Sequence, residues 1–407
     1  MNKLKILGDV LLNIVASALP IIMLQLFVFP SLAKDIDTES YGLMIAIYSL
    51  LNIIPAAIGT TLNNIRLLHD LSYKKLNIEG DFNILTFAGS LISILGMILG
   101  FIYLNGGINF LEIVIFSIIS VEILIHDYLI SEFRIKLNFK LILMDRIVLS
   151  LGFLIGLLLF NLTKNWHLPF LIGYTANLIF ALKYTTLWKE KNIKTTLFPF
   201  IMKESTYFLI STLLLRLTTY ADKLLLYPLL GGNAVSIYYA ATILSKVVSL
   251  AITPLNSVML SYLSKISNKP NQLFWKVFYS SLLVCIIGYF ASVYVSDSLL
   301  RIFYPMFKEE AAQYIYLTSA TTSLNVLASI IQPFVLKYAS MKFQILINFS
   351  DVVLYTSLSL LLLSLYGLVG FCFGVMLSRI IKVVILLLVY LKTDVTTLDL
   401  SEHQETV

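Results

Sequence analysis

The residues that could do chemistry are cationic and polar side chains set at helical spacing inside apolar runs. In residues 199–227, Thr212, Arg216, Thr219 and Lys223 fall on one helical face, with Tyr220 beside them. Residues 235–263 repeat the pattern with Thr242, Lys246, Ser249, Thr253 and Asn256. Residues 343–364 offer Gln344, Asn348, Asp351 and Tyr355, and residues 311–334 offer Thr318, Thr322, Asn325, Ser329 and Gln332. A softer version places Asn13, Ser17 and Gln25 in one early run and Asn52, Gly59 and Asn63 in the next. Guanidinium and ammonium groups hold an anion by charge-assisted hydrogen bonds, and amides and hydroxyls match the hydroxyls of a polar ligand.

An ionised side chain deep in a bilayer costs about 2.5–3.5 kcal/mol on insertion scales, so it faces a partner or water. Arg146, Arg216, Lys223, Lys246, Arg379 and Lys382 all need such an explanation, and the acidic groups available are Glu112, Glu122, Asp145, Asp222 and Asp351. Cations slightly outnumber anions, which predicts an electropositive pathway. Structural roles compete with this reading: Arg379 and Lys382 can pair with Asp351, Arg146 with Glu122, and Lys223 can snorkel to the nearer surface. Ser and Thr stripes also serve helix packing. Arg216 and Lys246 are the strongest candidates, because neither has an acidic neighbour one turn away on its own helix.

The elements that must position these groups are membrane spans. The chain is 58% hydrophobic and only 13% charged, against roughly 25% charged for a soluble domain. About 20 apolar residues cross the hydrocarbon core as a helix. By that measure the spans are residues 9–33, 41–65, 82–104, 110–131, 141–162, 168–188, 199–227, 235–263, 277–296, 311–334, 343–364 and 368–391. Lipid permits only helices or closed barrels, and these runs lack strand alternation. The reading is an all-α polytopic membrane protein of about 12 transmembrane helices.

Lys and Arg gather in alternate gaps, including Lys74, Lys75, Arg134, Lys136, Lys140, Lys189, Lys191 and Lys194. The positive-inside rule makes those gaps, and both termini, cytoplasmic. The net charge of +6 is then mostly loop lysine, and no nucleic-acid partner is implied. The linker around 188–196 divides the chain into an N-terminal six-helix lobe, 1–196, and a C-terminal one, 197–407. Because six is even, equivalent helices of the two lobes run the same way, and a pathway between the lobes is expected. Residues 297–310 are the longest outer loop. Pro20, Pro55, Pro254 and Pro333 favour kinks in or near the ends of spans. Cys285 and Cys372 read as small core residues, not a disulfide.

Catalytic equipment is missing. No phosphate-cradling G-x-x-x-x-G-K-[ST] loop occurs, and His69, His126, His167 and His403 are scattered without metal-ligand or nucleophile-base spacing. We therefore expect no enzyme, no cofactor and no metal.

Leu32-Ala33-Lys34 followed by Tyr41-Gly42-Leu43 resembles the first-turn signature of the polysaccharide flippases, the Wzx-type branch of the multidrug/oligosaccharidyl-lipid/polysaccharide (MOP) exporter superfamily. Asp222-Lys223-Leu224-Leu225-Leu226, then Leu230-Gly231 and Ala234-Val235-Ser236-Ile237-Tyr238, is similar to that family's second-half pattern. Asp35-Ile36 stands where the family usually has a Leu-Gly type turn, and Ser236 replaces its usual glycine. The resemblance implies a V-shaped, MATE-like fold of two lobes in the plasma membrane of a bacterium. It also implies that a lipid-linked oligosaccharide moves from the cytoplasmic to the outer leaflet by alternating access.

An undecaprenyl-diphosphate-linked oligosaccharide fits the polar stripes. Arg216 and Lys246, with Lys223 and Arg146 in support, would meet the pyrophosphate; Thr219, Tyr220, Asn256, Gln344 and Asn348 would meet sugar hydroxyls; the prenyl tail would stay among membrane lipid. Asp222 or Asp351 would couple an H+ or Na+ gradient, with downstream use of the product as the other source of drive. Other surface-polysaccharide assembly proteins, for capsule or exopolysaccharide, are the expected partners. The competing readings are a cation-coupled multidrug (MATE-type) exporter, a membrane-embedded polysaccharide polymerase and a non-transporting scaffold. The surplus of intramembrane cations argues against the exporter, and the short outer loops argue against the polymerase.

Overall fold

The computed structural model describes residues 3–104, 109–243, 248, 269–338 and 341–392, and those residues hold helices and no strands. Lys246 and Asn256 lie outside the described residues, as does the side chain of Gln344. The helices are α1 Lys3–Ile22, α2 Phe29–Asp35, α3 Thr38–Leu76, α4 Asp81–Leu104, α5 Phe110–Leu129, α6 Ser131–Ile135, α7 Phe139–Thr163, α8 Leu168–Tyr184, α9 Phe198–Ala241, α10 Asn271–Phe303, α11 Lys308–Ala312, α12 Ile315–Tyr338 and α13 Met341–Lys392. A π-helical turn, Met23–Val28, follows Pro20 and joins α1 to α2, placing irregularity where a proline removes a ladder hydrogen bond.

Eight of the described helical spans are long and apolar enough to cross a membrane, and a ninth forms if the bent pair around residues 305–335 counts as one. Two of the long helices are doubled. α9 breaks at Gly231 (φ +80°), and α13 breaks at Tyr366 and Gly367 (φ +57°), the positions where the spacing predicts turns between spans. With the shorter α8, this arrangement is consistent with twelve crossings. The chain is a multi-pass membrane protein.

Boundaries differ from expectation in places. α3 continues past residue 65 to Leu76, because nothing in Arg66–Leu76 breaks a helix until Asn77 adopts a left-handed conformation. Residues 297–303, expected as loop, extend α10, which stops only where Pro305 ends the helical register. Both cysteines are buried thiols, and they form no disulfide.

Contacts group the chain into two compact units. The first holds Met1–Tyr239 and Phe303–Phe307; the second holds Ala240–Ile302 and Lys308–Val407. In the first, α7 packs on α8 and α1, while α5 packs on α3, α4 and α8. Ile58, Leu62, Phe82, Leu124, Tyr128 and Ile201 form one of its cores. In the second, α12 packs on α13, and Phe274, Ile331, Phe334, Ile347, Leu386 and Tyr390 close the core.

Three carboxylates of the first unit fasten the segment that follows α8. Glu132 accepts from the Thr186 and Leu187 amides. Asp81 accepts from the Thr195 amide at 2.7 Å. Glu190 forms a two-pronged pair with Arg66 at 3.0 and 2.7 Å, and burial pushes its carboxyl above the ordinary value against the pull of that guanidinium.

Asp37 caps α3 by accepting from the Ser40 amide at 2.9 Å, which holds its carboxyl below the ordinary value of 3.8. Its contribution is therefore full above that value and is lost as the pH falls through the lower folded value. Asp37→Ala is expected to cost about 1 kcal/mol at neutral pH, read as a lower melting temperature in detergent. An unchanged melting temperature at pH 7 would rule the cap out as a stabiliser.

Candidate functional site

Arg216 projects from α9 toward the stretch of α3 around Pro55, where the helical ladder is interrupted. Its Nη1 donates to the Asn52 carbonyl at 2.8 Å and its Nη2 to Thr60 Oγ1 at 2.9 Å. One turn further along α3, Arg134 Nη1 from α6 donates to Asn63 Oδ1 and to Asn64 Oδ1, at 2.5 and 3.1 Å. Asn63 is fixed in turn by donating to the Asp127 carbonyl at 2.6 Å. No carboxylate among the described residues comes within 4.0 Å of either guanidinium. Both charges are held by neutral oxygens, so an anion could engage them without breaking an ion pair.

The other expected site residues of the first unit are placed differently. Lys223 is buried and bonds its neighbour Asp222 at 2.6 Å, so its charge already has a partner. Thr219 returns its hydroxyl to the Leu215 carbonyl and is exposed, while Tyr220 is half-buried. Arg146 lies 3.5 Å from Asp145, not on Glu122, whose carboxylate instead accepts from Thr175 at 2.7 Å. The sequence pairing fails here because adjacency on α7 brings Asp145 nearer than any group on α5.

Asp145 belongs to a buried polar cluster that the spacing did not reveal. His126 Nε2 lies 2.9 Å from Asp145 Oδ1 and its Nδ1 3.3 Å from Asp127 Oδ1. With its amide oriented to satisfy both neighbours, Asn177 donates to Asp145 Oδ1 at 3.0 Å and accepts from His126 Nε2 at 2.8 Å. Three helices, α5, α7 and α8, meet in this cluster. The available signal was two adjacent ionisable pairs, His126-Asp127 and Asp145-Arg146, each inside an apolar run.

The two signature turns meet each other. Glu39, in the first turn of α3, accepts from the Gly232 and Asn233 amides at 2.6 and 2.9 Å, capping the helix that restarts after Gly231. Ser236 Oγ donates to the Thr38 carbonyl at 2.6 Å. A Cβ on Gly42 would lie 2.5 Å from Gly232 Cα and closer still to its carbonyl, so the backbones touch. The rings of Tyr239, Tyr304 and Phe307 pack edge-on or tilted against Tyr41, next to Gly42, and Tyr239 donates to Gln25 Oε1.

In the second unit, Asp351 accepts from Arg379 Nη1 at 2.8 Å and from Lys382 Nζ at 2.7 Å. Both cations come from the C-terminal part of α13, as the charges in the sequence suggested. Asn348 lies one turn before Asp351 and is half-buried. Arg379 also lies over the Tyr355 ring at 5.0 Å. No cluster of His, Cys, Asp or Glu among the described residues could hold a metal ion.

The family described as "Polysaccharide biosynthesis protein" matches residues 11–267. The chain belongs to this family. No curated protein matches it by sequence. Among solved structures, the lipid II flippase MurJ in an inward closed conformation matches with a TM-score of 0.72 and 16% identity, covering 93% of this chain and 87% of MurJ. An inward-facing multidrug resistance MATE family transporter of the MOP superfamily matches with a TM-score of 0.68 and 11% identity, covering 93% of this chain and 97% of that one. At such identities the likeness shows the fold, and this chain shares the helical fold of those two structures.

Proposed function

We propose that this protein is a transporter, not an enzyme, which moves an undecaprenyl-diphosphate-linked oligosaccharide from the cytoplasmic to the outer leaflet of a bacterial plasma membrane by alternating access. The observation that carries the reading is Arg216: a guanidinium inside a membrane span, held among the described residues by a backbone carbonyl and a threonine hydroxyl and by no carboxylate. A charge without a counter-charge inside a span is a functional group by default, and an arginine in that condition suits a phosphate oxygen. A multidrug exporter for cationic amphiphiles would be repelled by it.

In this reading the division after residue 196 separates two six-helix lobes, both termini are cytoplasmic, and the Glu39 contact lies at the outer end. Lys246, Lys223 and Arg146 supplement Arg216 at the pyrophosphate, and Thr219, Tyr220, Asn256, Gln344 and Asn348 meet the sugars. Asp222 and Asp351 are the carboxylates that would couple an ion gradient, and a coupling ion would have to displace Lys223 from one, or Lys382 and Arg379 from the other.

The test is leaflet translocation of a fluorescent undecaprenyl-diphosphate oligosaccharide in vesicles holding the purified protein. Arg216→Ala and Lys246→Ala are each expected to reduce the rate about tenfold or more, the value of one charge-assisted contact. A folded wild-type protein that translocates none of several sugars under an imposed ion gradient would overturn the reading in favour of a drug exporter or a scaffold.

A further inference from the structure

We propose that Arg134 and Arg216 together form a two-guanidinium clamp for a diphosphate, with Arg134 as the residue that distinguishes a lipid diphosphate from a lipid monophosphate. The inference rests on the lipid-diphosphate reading above and adds to it a residue that the sequence pattern places only among loop cations.

The two arginines reach one face of α3 from different elements, Arg216 from α9 and Arg134 from α6. Their anchors are Thr60 for Arg216 and Asn63 with Asn64 for Arg134. Thr60 and Asn64 are four residues apart on a continuous helix, so they are surface neighbours with Cβ atoms about 5–6 Å apart. Each adjacent carboxylate is committed elsewhere. Asp127 faces His126, and Glu132 holds Lys136 and the Thr186 and Leu187 amides. The pair is left cationic, whereas Lys223 pairs with Asp222, and Arg379 and Lys382 pair with Asp351.

Each arginine keeps donors free for a ligand. Arg134 uses only Nη1 on the two asparagines and is exposed, leaving Nε and Nη2 available. Arg216 uses Nη1 and Nη2 on neutral oxygens that a phosphate oxygen outcompetes. A diphosphate presents two anionic phosphoryl groups in tandem, so each can take one planar fork. A monophosphate fills one station and leaves the other arginine on its asparagines.

The experiment measures binding of geranylgeranyl diphosphate and geranylgeranyl monophosphate to the full-length protein in nanodiscs, by titration calorimetry. Wild type is expected to prefer the diphosphate by about tenfold, the worth of one added charge-assisted contact. Arg134→Gln is expected to weaken the diphosphate by about tenfold while leaving the monophosphate within about twofold, whereas Arg216→Gln weakens both. Arg134→Lys, which keeps the charge without the fork, should fall between wild type and Arg134→Gln, and it carries the test if Arg134→Gln does not fold. Undiminished preference in Arg134→Gln, or equal loss of both ligands, overturns the clamp while leaving the transporter reading intact. Wild type that binds neither lipid phosphate overturns both.

Discussion

Gly42→Val is expected to abolish translocation while the protein still inserts and purifies. The reason is local and severe. Gly42 and Gly232 bring the backbones of α3 and of the restarted part of α9 into direct contact, and the atoms a Cβ would strike are backbone atoms that no rotamer can move. Gly232 has the same constraint from the other side, since its own Cβ would strike the Glu39 backbone. Overpacking in a close-packed site costs roughly 1–3 kcal/mol and more when backbone must shift. The same separation would pull Glu39 away from the Gly232 and Asn233 amides and Ser236 from the Thr38 carbonyl. Gly42→Ala should show a smaller loss in the same direction. Translocation within about twofold of wild type in Gly42→Val would mean that this contact does not persist in the working protein.

Asp351→Asn is expected to destabilise the second unit by about 3–5 kcal/mol, because it leaves one buried and one half-buried cation facing a neutral amide. Asp351 and Arg379 are nearly inaccessible, with side chains 4% and 6% exposed, and Lys382 is 17% exposed, so water offers little relief. The measurement is thermal unfolding in detergent, followed by the fluorescence of Trp275, which lies in the same unit. The triple variant Asp351→Leu, Arg379→Met, Lys382→Met should recover most of the loss, since matched apolar replacement of a buried ionic group is often neutral or stabilising. A single variant that melts like wild type would show that the carboxylate does not carry the charge balance assigned to it.

Much of the fold was legible because membrane spans have a strong signature. Length and hydropathy marked the helices, the gaps between spans at 228–234 and 365–367 marked turns that fall inside otherwise continuous helical runs, and the competing structural reading of Arg379 and Lys382 had them paired with Asp351. The site was legible only where one helix carries the whole pattern, as for Arg216. Residues that depend on three helices meeting gave no linear signal: His126, Asp145 and Asn177 are far apart in the chain, and histidine spacing alone dismissed the first of them. Arg134 was counted correctly as a cation near a span end, but helical period cannot say that it turns back onto Asn63 and Asn64. Glu39 gave no linear signal either, because capping a helix in the other half of the sequence is a tertiary act.

On the proposed function, the neutral oxygens beneath Arg216 have a consequence for release. A carrier must let go of what it captures, and letting go of an anion in a nonpolar setting would strand a bare cation at a cost of about 2.5–3.5 kcal/mol. The Asn52 carbonyl and the Thr60 hydroxyl give the guanidinium a place to return to, so discharge exchanges one set of oxygens for another. A carboxylate in the same position would make the unloaded state too comfortable and would compete with cargo at every cycle. Acceptors of intermediate strength keep loaded and empty states close in free energy, the condition under which a carrier turns over without becoming a trap.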